Sequence, residues 1–148
     1  MGIKAFAAKI IAKQLVSSSK NWIEAPVEAQ QKCLQKLIYQ AKNTAFGEQN
    51  KFSQIKDYED FKQALLVVDY EALRPFIDRM KAGEENILWP GKPIYWSKTS
   101  GTTSGAKFIP ISKESIAHHM NAARNALLFY INRTQNSAFV DGKMIFLQ

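Results

Sequence analysis

The chain has 148 residues, 46% hydrophobic and 22% charged, which is enough for one modest core and excludes a largely disordered chain. Its net charge of +7 suits either an anionic partner or a lysine-rich surface, and the lysines are spread out rather than gathered in a nucleic-acid-binding block. One cysteine, Cys33, excludes an internal disulfide or a cysteine-rich zinc site, and no apolar run nears the roughly 18 residues of a membrane span.

Residues 3 to about 16 place Ile3, Phe6, Ala7, Ile10, Ile11 and Leu15 on one stripe at helical spacing. A helix docked on its own domain is the expected reading, with a membrane-surface helix as the alternative. Lys4, Lys9 and Lys13 interrupt the apolar start, which makes a poor secretion signal. Phe6 stands where a myristoylation motif needs Ser or Thr, so a cytoplasmic protein is expected. "SSSKNWIEAP" breaks the pattern, and Pro26 suits the first turn of a second helix to about residue 42. Cys33 falls among the apolar positions of that helix and reads as a buried thiol. "KNTAFGEQNKFSQIK" reads as a loop. Asp57 can cap a short helix with Phe61, Leu65 and Leu66. Asp69 can cap another with Leu73, Phe76, Ile77 and Met80, ending near Gly83. Pro75 must sit in its first turns or bend it.

The character then changes. Pro90, Gly91 and Pro93 punctuate a turn before a short strand at about 94–97. A run of small residues follows, then a second extended run, "KFIPI". Ser112 is a good N-cap, and Ile116, Met120, Ala123, Leu127, Tyr130 and Ile131 mark a helix of about twenty residues. "DGK" turns the chain and "MIFLQ" reads as a buried strand. The fold class expected is therefore α/β: about 1–90 mainly helical, then strand, loop, strand, helix and strand over about 91–148. The last strand lacks neighbours, so residues 1–148 read as the N-terminal portion of one larger, incomplete domain.

The small-residue run carries the chemistry. Thr99, Ser100, Gly101, Thr102, Thr103, Ser104 and Gly105 lead to Lys107 with no large apolar side chain between them. A triphosphate needs several converging donors. Gly101 and Gly105 permit positive φ and close approach of main-chain N–H groups, the hydroxyls add donors, and Lys107 adds a point charge. The Walker pattern G-x-x-x-x-G-K-[ST] is excluded, because Ala106 separates Gly105 from Lys107 and Phe108 follows it. The dinucleotide pattern G-x-G-x-x-G is excluded as well.

Thr99 through Lys107 resembles the phosphate-binding motif of the adenylate-forming enzymes. Ser104 and Ala106 replace the usual Gly and Pro. "SGTTSGAKFIPIS", with the preceding "VVDYEALRPFIDRMKAGEENILWPGKPIYWSKT", looks like the auxin-responsive Gretchen Hagen family of acyl-acid amido synthetases and their bacterial relatives. The resemblance covers nearly the whole chain, and the nine-residue motif is its specific part. It implies an adenylate-forming large-domain sheet that begins here. It also implies attack of a carboxylic acid on the α-phosphate of ATP, with Mg2+, and transfer of the acyl group to an amine, typically of an amino acid. The loop residues would hold the β- and γ-phosphates. The adenine pocket, the metal carboxylate and the mobile C-terminal domain would lie beyond Gln148, so this part alone is not expected to catalyse the reaction.

Other residues are weighed against ordinary roles. Arg124 can pair with an acid substrate's carboxylate or sit on the polar side of its helix. His118 and His119 are adjacent and point about 100° apart, so they cannot share a metal as an i, i+4 pair could. Trp22, Trp89 and Trp96 read as packing residues, with Trp96 near enough to the loop to wall a pocket. An adenylating ligase that uses a thiol acceptor and a small basic interaction module are the competing functions. The second would show steep salt dependence and gives no account of the loop.

Overall fold

In the computed structural model residues 2–101 and 105–143 are described. They are mostly helical, with one small antiparallel sheet, an arrangement compatible with α/β. The chain divides into two compact units, one spanning Val27–Ile116 and the other drawn from residues 1–26 and 117–148.

In the discontinuous unit, α1 runs Ile3–Glu24, well past the predicted stop. The serines do not break it. The hydroxyls of Ser18 and Ser19 both donate to the Leu15 carbonyl, at 2.8 and 2.9 Å, so they bond back within the helix. The face it buries also differs from the predicted one. Ala5, Ala8, Ala12 and Ser19 are buried, whereas Ile3, Phe6, Ile10 and Ile11 are exposed. Small side chains let neighbouring elements come close, and a reading that weights large apolar groups overlooks them. Ala8 and Ala12 meet Leu128 and Ile131 of α6, Lys113–Thr134, with Leu15, Phe139 and Val140 packed around them. Met120 and Tyr130, expected on the core face of α6, are largely exposed. A 3-10 turn at Ala138–Asp141 follows, and the Asp141 carboxylate accepts from the Gly2 N–H at 3.0 Å. The predicted strand "MIFLQ" lies outside the described residues.

The continuous unit holds the aromatic core. In α2, Pro26–Ala41, Ile38 and Ala41 are buried, and they cluster with Phe52. Leu34, Phe46, Ile55, Phe61, Leu65 and Trp89 pack against this cluster. Cys33 is exposed, one residue and thus about 100° off the Leu34–Ile38–Ala41 face. The segment read as a loop contains α3, Ala45–Gln49, and a 3-10 turn at Phe52–Gln54. Buried Thr44 caps α3 by accepting from the Gly47 N–H at 3.0 Å. Phe46 stacks edge-on against Phe52 and Phe76, with ring centroids 5.8 and 5.3 Å apart. Asp57 and Asp69 cap α4, Tyr58–Ala64, and α5, Tyr70–Lys81. Pro75 sits inside α5 without ending it.

Strands β1, Tyr95–Lys98, and β2, Phe108–Ile111, pair antiparallel, with Tyr95 opposite Ile111 and Lys98 opposite Phe108. Their connection is the glycine–hydroxyl segment. Ser112 then caps α6, accepting from the Ser115 N–H at 3.1 Å. Among the described residues no helix is long and apolar enough to cross a membrane.

Candidate functional site

The sequence places two strands around the small-residue segment, and the structure pairs those strands and joins the ends of the segment, Thr99 and Lys107. Thr99 and Lys107 extend the strand register by one pair. The Thr99 N–H donates to the Lys107 carbonyl at 3.0 Å. The Lys107 N–H donates to the Thr99 hydroxyl at 3.1 Å. Thr99 therefore closes the neck of the loop with its side chain as well as its backbone. The hydroxyl acts there as an acceptor, which leaves its O–H to donate.

Both glycines take conformations that L side chains avoid, with φ of +69° at Gly101 and +80° at Gly105. Their surroundings differ. A Cβ on Gly101 would lie 2.8 Å from the Ala106 nitrogen, whereas one on Gly105 would meet open space. Gly101 is thus fixed by backbone crowding inside the loop. Ser100 is exposed, and Thr102, Thr103 and Ser104 lie outside the described residues.

Beside the neck is a cleft of about 230 Å³ between α5 and the segment Gly105–Phe108. Tyr70, Glu71, Arg74, Asp78 and Lys81 form one wall and Lys107 stands on the other. Arg74 is held by Glu71 at 3.1 Å and Asp78 at 3.8 Å, and the Glu71 contact keeps its guanidinium firmly protonated. Those two acids are thereby largely occupied. Lys81 lies over the Phe108 ring at 4.2 Å, and Lys107 over the Tyr70 ring at 5.6 Å. The cleft is small and polar and has two lysines at its lip.

Tyr70 escaped the sequence reading. Its hydroxyl accepts from the Phe108 N–H at 2.9 Å and faces the Phe108 carbonyl at 3.4 Å. No local spacing announces a contact between residues 70 and 108. Trp89, half-buried against the aromatic core, donates its indole N–H to Glu114 at 3.2 Å. The Glu114 carboxyl is held below its ordinary range by its own backbone N–H, the Ser112 hydroxyl and Trp89. Trp96 is half-buried on β1 opposite Pro110 and does not line the cleft, and Trp22 is exposed rather than packed. Arg124 is exposed on α6 and donates to Asn125 at 3.4 Å. His118 and His119 are exposed. Among the described residues no three His, Cys, Asp or Glu side chains gather as metal ligands. A larger hollow of about 410 Å³ lies among Gln49, Asn50, Lys51, Gln54 and Gln63, with none of the loop in it.

The molecule is thus a mainly helical chain that presents a glycine–hydroxyl loop on a closed hairpin neck. Residues 16–147 match the GH3 family N-terminal domain, so the chain belongs to the GH3 (Gretchen Hagen) family. It is 30% identical over 118 residues to a jasmonoyl–L-amino acid synthetase of Nicotiana attenuata, covering 78% of this chain and 20% of that protein. It is 26% identical over 117 residues to an indole-3-acetic acid-amido synthetase of Arabidopsis thaliana, covering 78% of this chain and 18% of that one. A second Arabidopsis indole-3-acetic acid-amido synthetase is 37% identical over 67 residues, 44% of this chain and 11% of its own. The chain spans about a fifth or less of the length of these relatives. No solved structure matches it.

Proposed function

We propose that this chain supplies the nucleotide-phosphate end of an ATP-dependent ligase that joins a carboxylic acid to an amino acid. The observation that carries the reading is the closed neck, with two positive-φ glycines in the loop above it and Lys107 at its base. A triphosphate fits this arrangement. The neck holds the loop ends together, the glycines leave main-chain N–H groups unobstructed, and Lys107 stands ready as a cation. The relatives named as acid–amino acid synthetases support the choice of acid and acceptor.

In this reading the acid's carboxylate attacks the α-phosphorus of ATP. The bond to the bridging oxygen breaks, and pyrophosphate leaves with that electron pair. Charge builds on the departing phosphates as the bond breaks. Lys107 and the loop amides face that charge and are better matched to it than to the ground state, which lowers the barrier. The acyl-adenylate then gives its acyl group to the amine and releases AMP. Magnesium would travel with the nucleotide and screen its phosphates, and no residue here is assigned to hold it. The β1–β2 ribbon would open the sheet of an adenylate-forming large domain, acting in the cytoplasm.

Acid-dependent exchange of labelled pyrophosphate into ATP tests this in the complete protein. Wild type should exchange label only when a carboxylic acid is added, and Lys107→Ala should abolish exchange while leaving the circular dichroism spectrum unchanged. Exchange that Lys107→Ala leaves at the wild-type rate would overturn the assignment of the loop. Offering an amino acid or a thiol as acceptor then separates amide from thioester formation.

A further inference from the structure

We infer that Tyr70 is a positioning residue for the phosphate loop, setting Lys107 through the outer edge of β2. The inference rests on the phosphate-loop reading above and goes beyond it to a residue on a different element. In an antiparallel pair, opposed residues alternate between those that bond to each other and those whose N–H and C=O point away. Thr99 and Lys107 share a backbone bond, so the next pair, Lys98 and Phe108, is of the outward kind. The N–H and C=O of Phe108 therefore face away from β1, and the Tyr70 hydroxyl meets both, at 2.9 and 3.4 Å. One hydroxyl on the first residue of α5 thus occupies the free edge of the residue next to Lys107.

The same side chain also reaches Lys107 directly, because the Lys107 ammonium lies 5.6 Å from the centre of the Tyr70 ring. Hydroxyl and ring act on neighbouring residues, one on the backbone and one on the charge. Asp69 fixes where Tyr70 starts, since its carboxylate accepts from the Ala72 N–H at 3.1 Å and locks the first turn of α5. The helix thereby sets the direction in which the lysine leaves the hairpin neck. A lysine on a flexible stem binds phosphate more tightly when its starting point and course are restricted beforehand.

The test is a double-mutant cycle on ATP affinity in the complete protein, measured by calorimetry with magnesium and ATP as the titrant. Tyr70→Phe removes the hydroxyl and keeps the ring, and should weaken ATP binding roughly fivefold, the worth of one ordinary hydrogen bond. Tyr70→Leu removes both and should weaken it further, by about tenfold or more. In a Lys107→Ala background either change should move ATP affinity by less than about twofold, because nothing is left to position. A merely structural role would instead lower the unfolding midpoint and cost the same affinity in both backgrounds, and that result would overturn the inference. So would Tyr70 variants that bind ATP as wild type does while Lys107→Ala does not. If Lys107→Ala itself leaves ATP affinity unchanged, the phosphate-loop reading beneath the inference falls. Should Tyr70→Leu fail to fold, Tyr70→Phe alone decides, since it keeps the packing volume.

Discussion

The hairpin stem and the α1–α6 packing are held together by different forces. The stem is a set of directional contacts: Thr99 and Lys107 bonded to each other, and Tyr70 on Phe108. Its side chains are half-exposed, and it contributes little to burial. The cluster of Ala8, Ala12, Leu128 and Ile131 has no such directionality, and its strength lies in apolar area removed from water. Stability should therefore reside mainly in the second region and ligand response in the first. The contrast shows that damage to the two must be measured with different assays.

The largest expected effect breaks the comparison from the stability side. Ile131 is 1% exposed, and Ile131→Ala should cost roughly 2–5 kcal/mol in urea unfolding, with ATP affinity of the folded fraction unchanged. From the other side, Lys107→Ala should weaken ATP binding by about 10- to 100-fold, a charge-assisted contact's worth, and barely move the unfolding midpoint. Gly101→Ala and Gly105→Ala sharpen the contrast within the loop. Each forces an L side chain to positive φ, at about 1–2 kcal/mol, but only at Gly101 does the new Cβ also press on backbone. The Gly101 variant should lose more ATP affinity by calorimetry. Asp69→Ala removes the cap of α5 and should cost about 1 kcal/mol in thermal unfolding.

The smallest effect is one of pH. The Glu114 carboxyl is held below its ordinary value of 4.5 in the folded chain, so it adds stability above that value. The contribution is lost as pH falls through the lowered folded value. Glu114→Gln should flatten the decline of the unfolding midpoint below about pH 4.5 and change nothing of its slope between pH 6 and 8.

Local chemistry was the legible part of the sequence. Asp57, Asp69 and Ser112 each announce a helix start because a cap involves only the next three residues. The hairpin around the glycine–hydroxyl segment was legible in the same way, from the small residues between two short extended runs. The buried face of α1 was not. Its contact side is made of alanines, and the larger Ile3, Phe6 and Ile10 that dominate the periodicity face outward. The serine run also misled, since Ser18 and Ser19 turn their hydroxyls onto the Leu15 carbonyl inside the helix, a local bond that the sequence does not tell apart from a helix end. Tyr70 was beyond reach for a further reason. Its partner lies at residue 108, and only the fold makes them neighbours.

The outer edge of β2 has a consequence for assembly. Phe108 has spent its outward-facing groups on Tyr70, and Pro110, the next outward position, has no N–H to offer. A further strand therefore finds no continuous ladder along that side. On the opposite side Trp96 and Lys98 turn their N–H and C=O away from β2. Among the described residues the ribbon is capped along β2, and a strand added to it would find its ladder along β1.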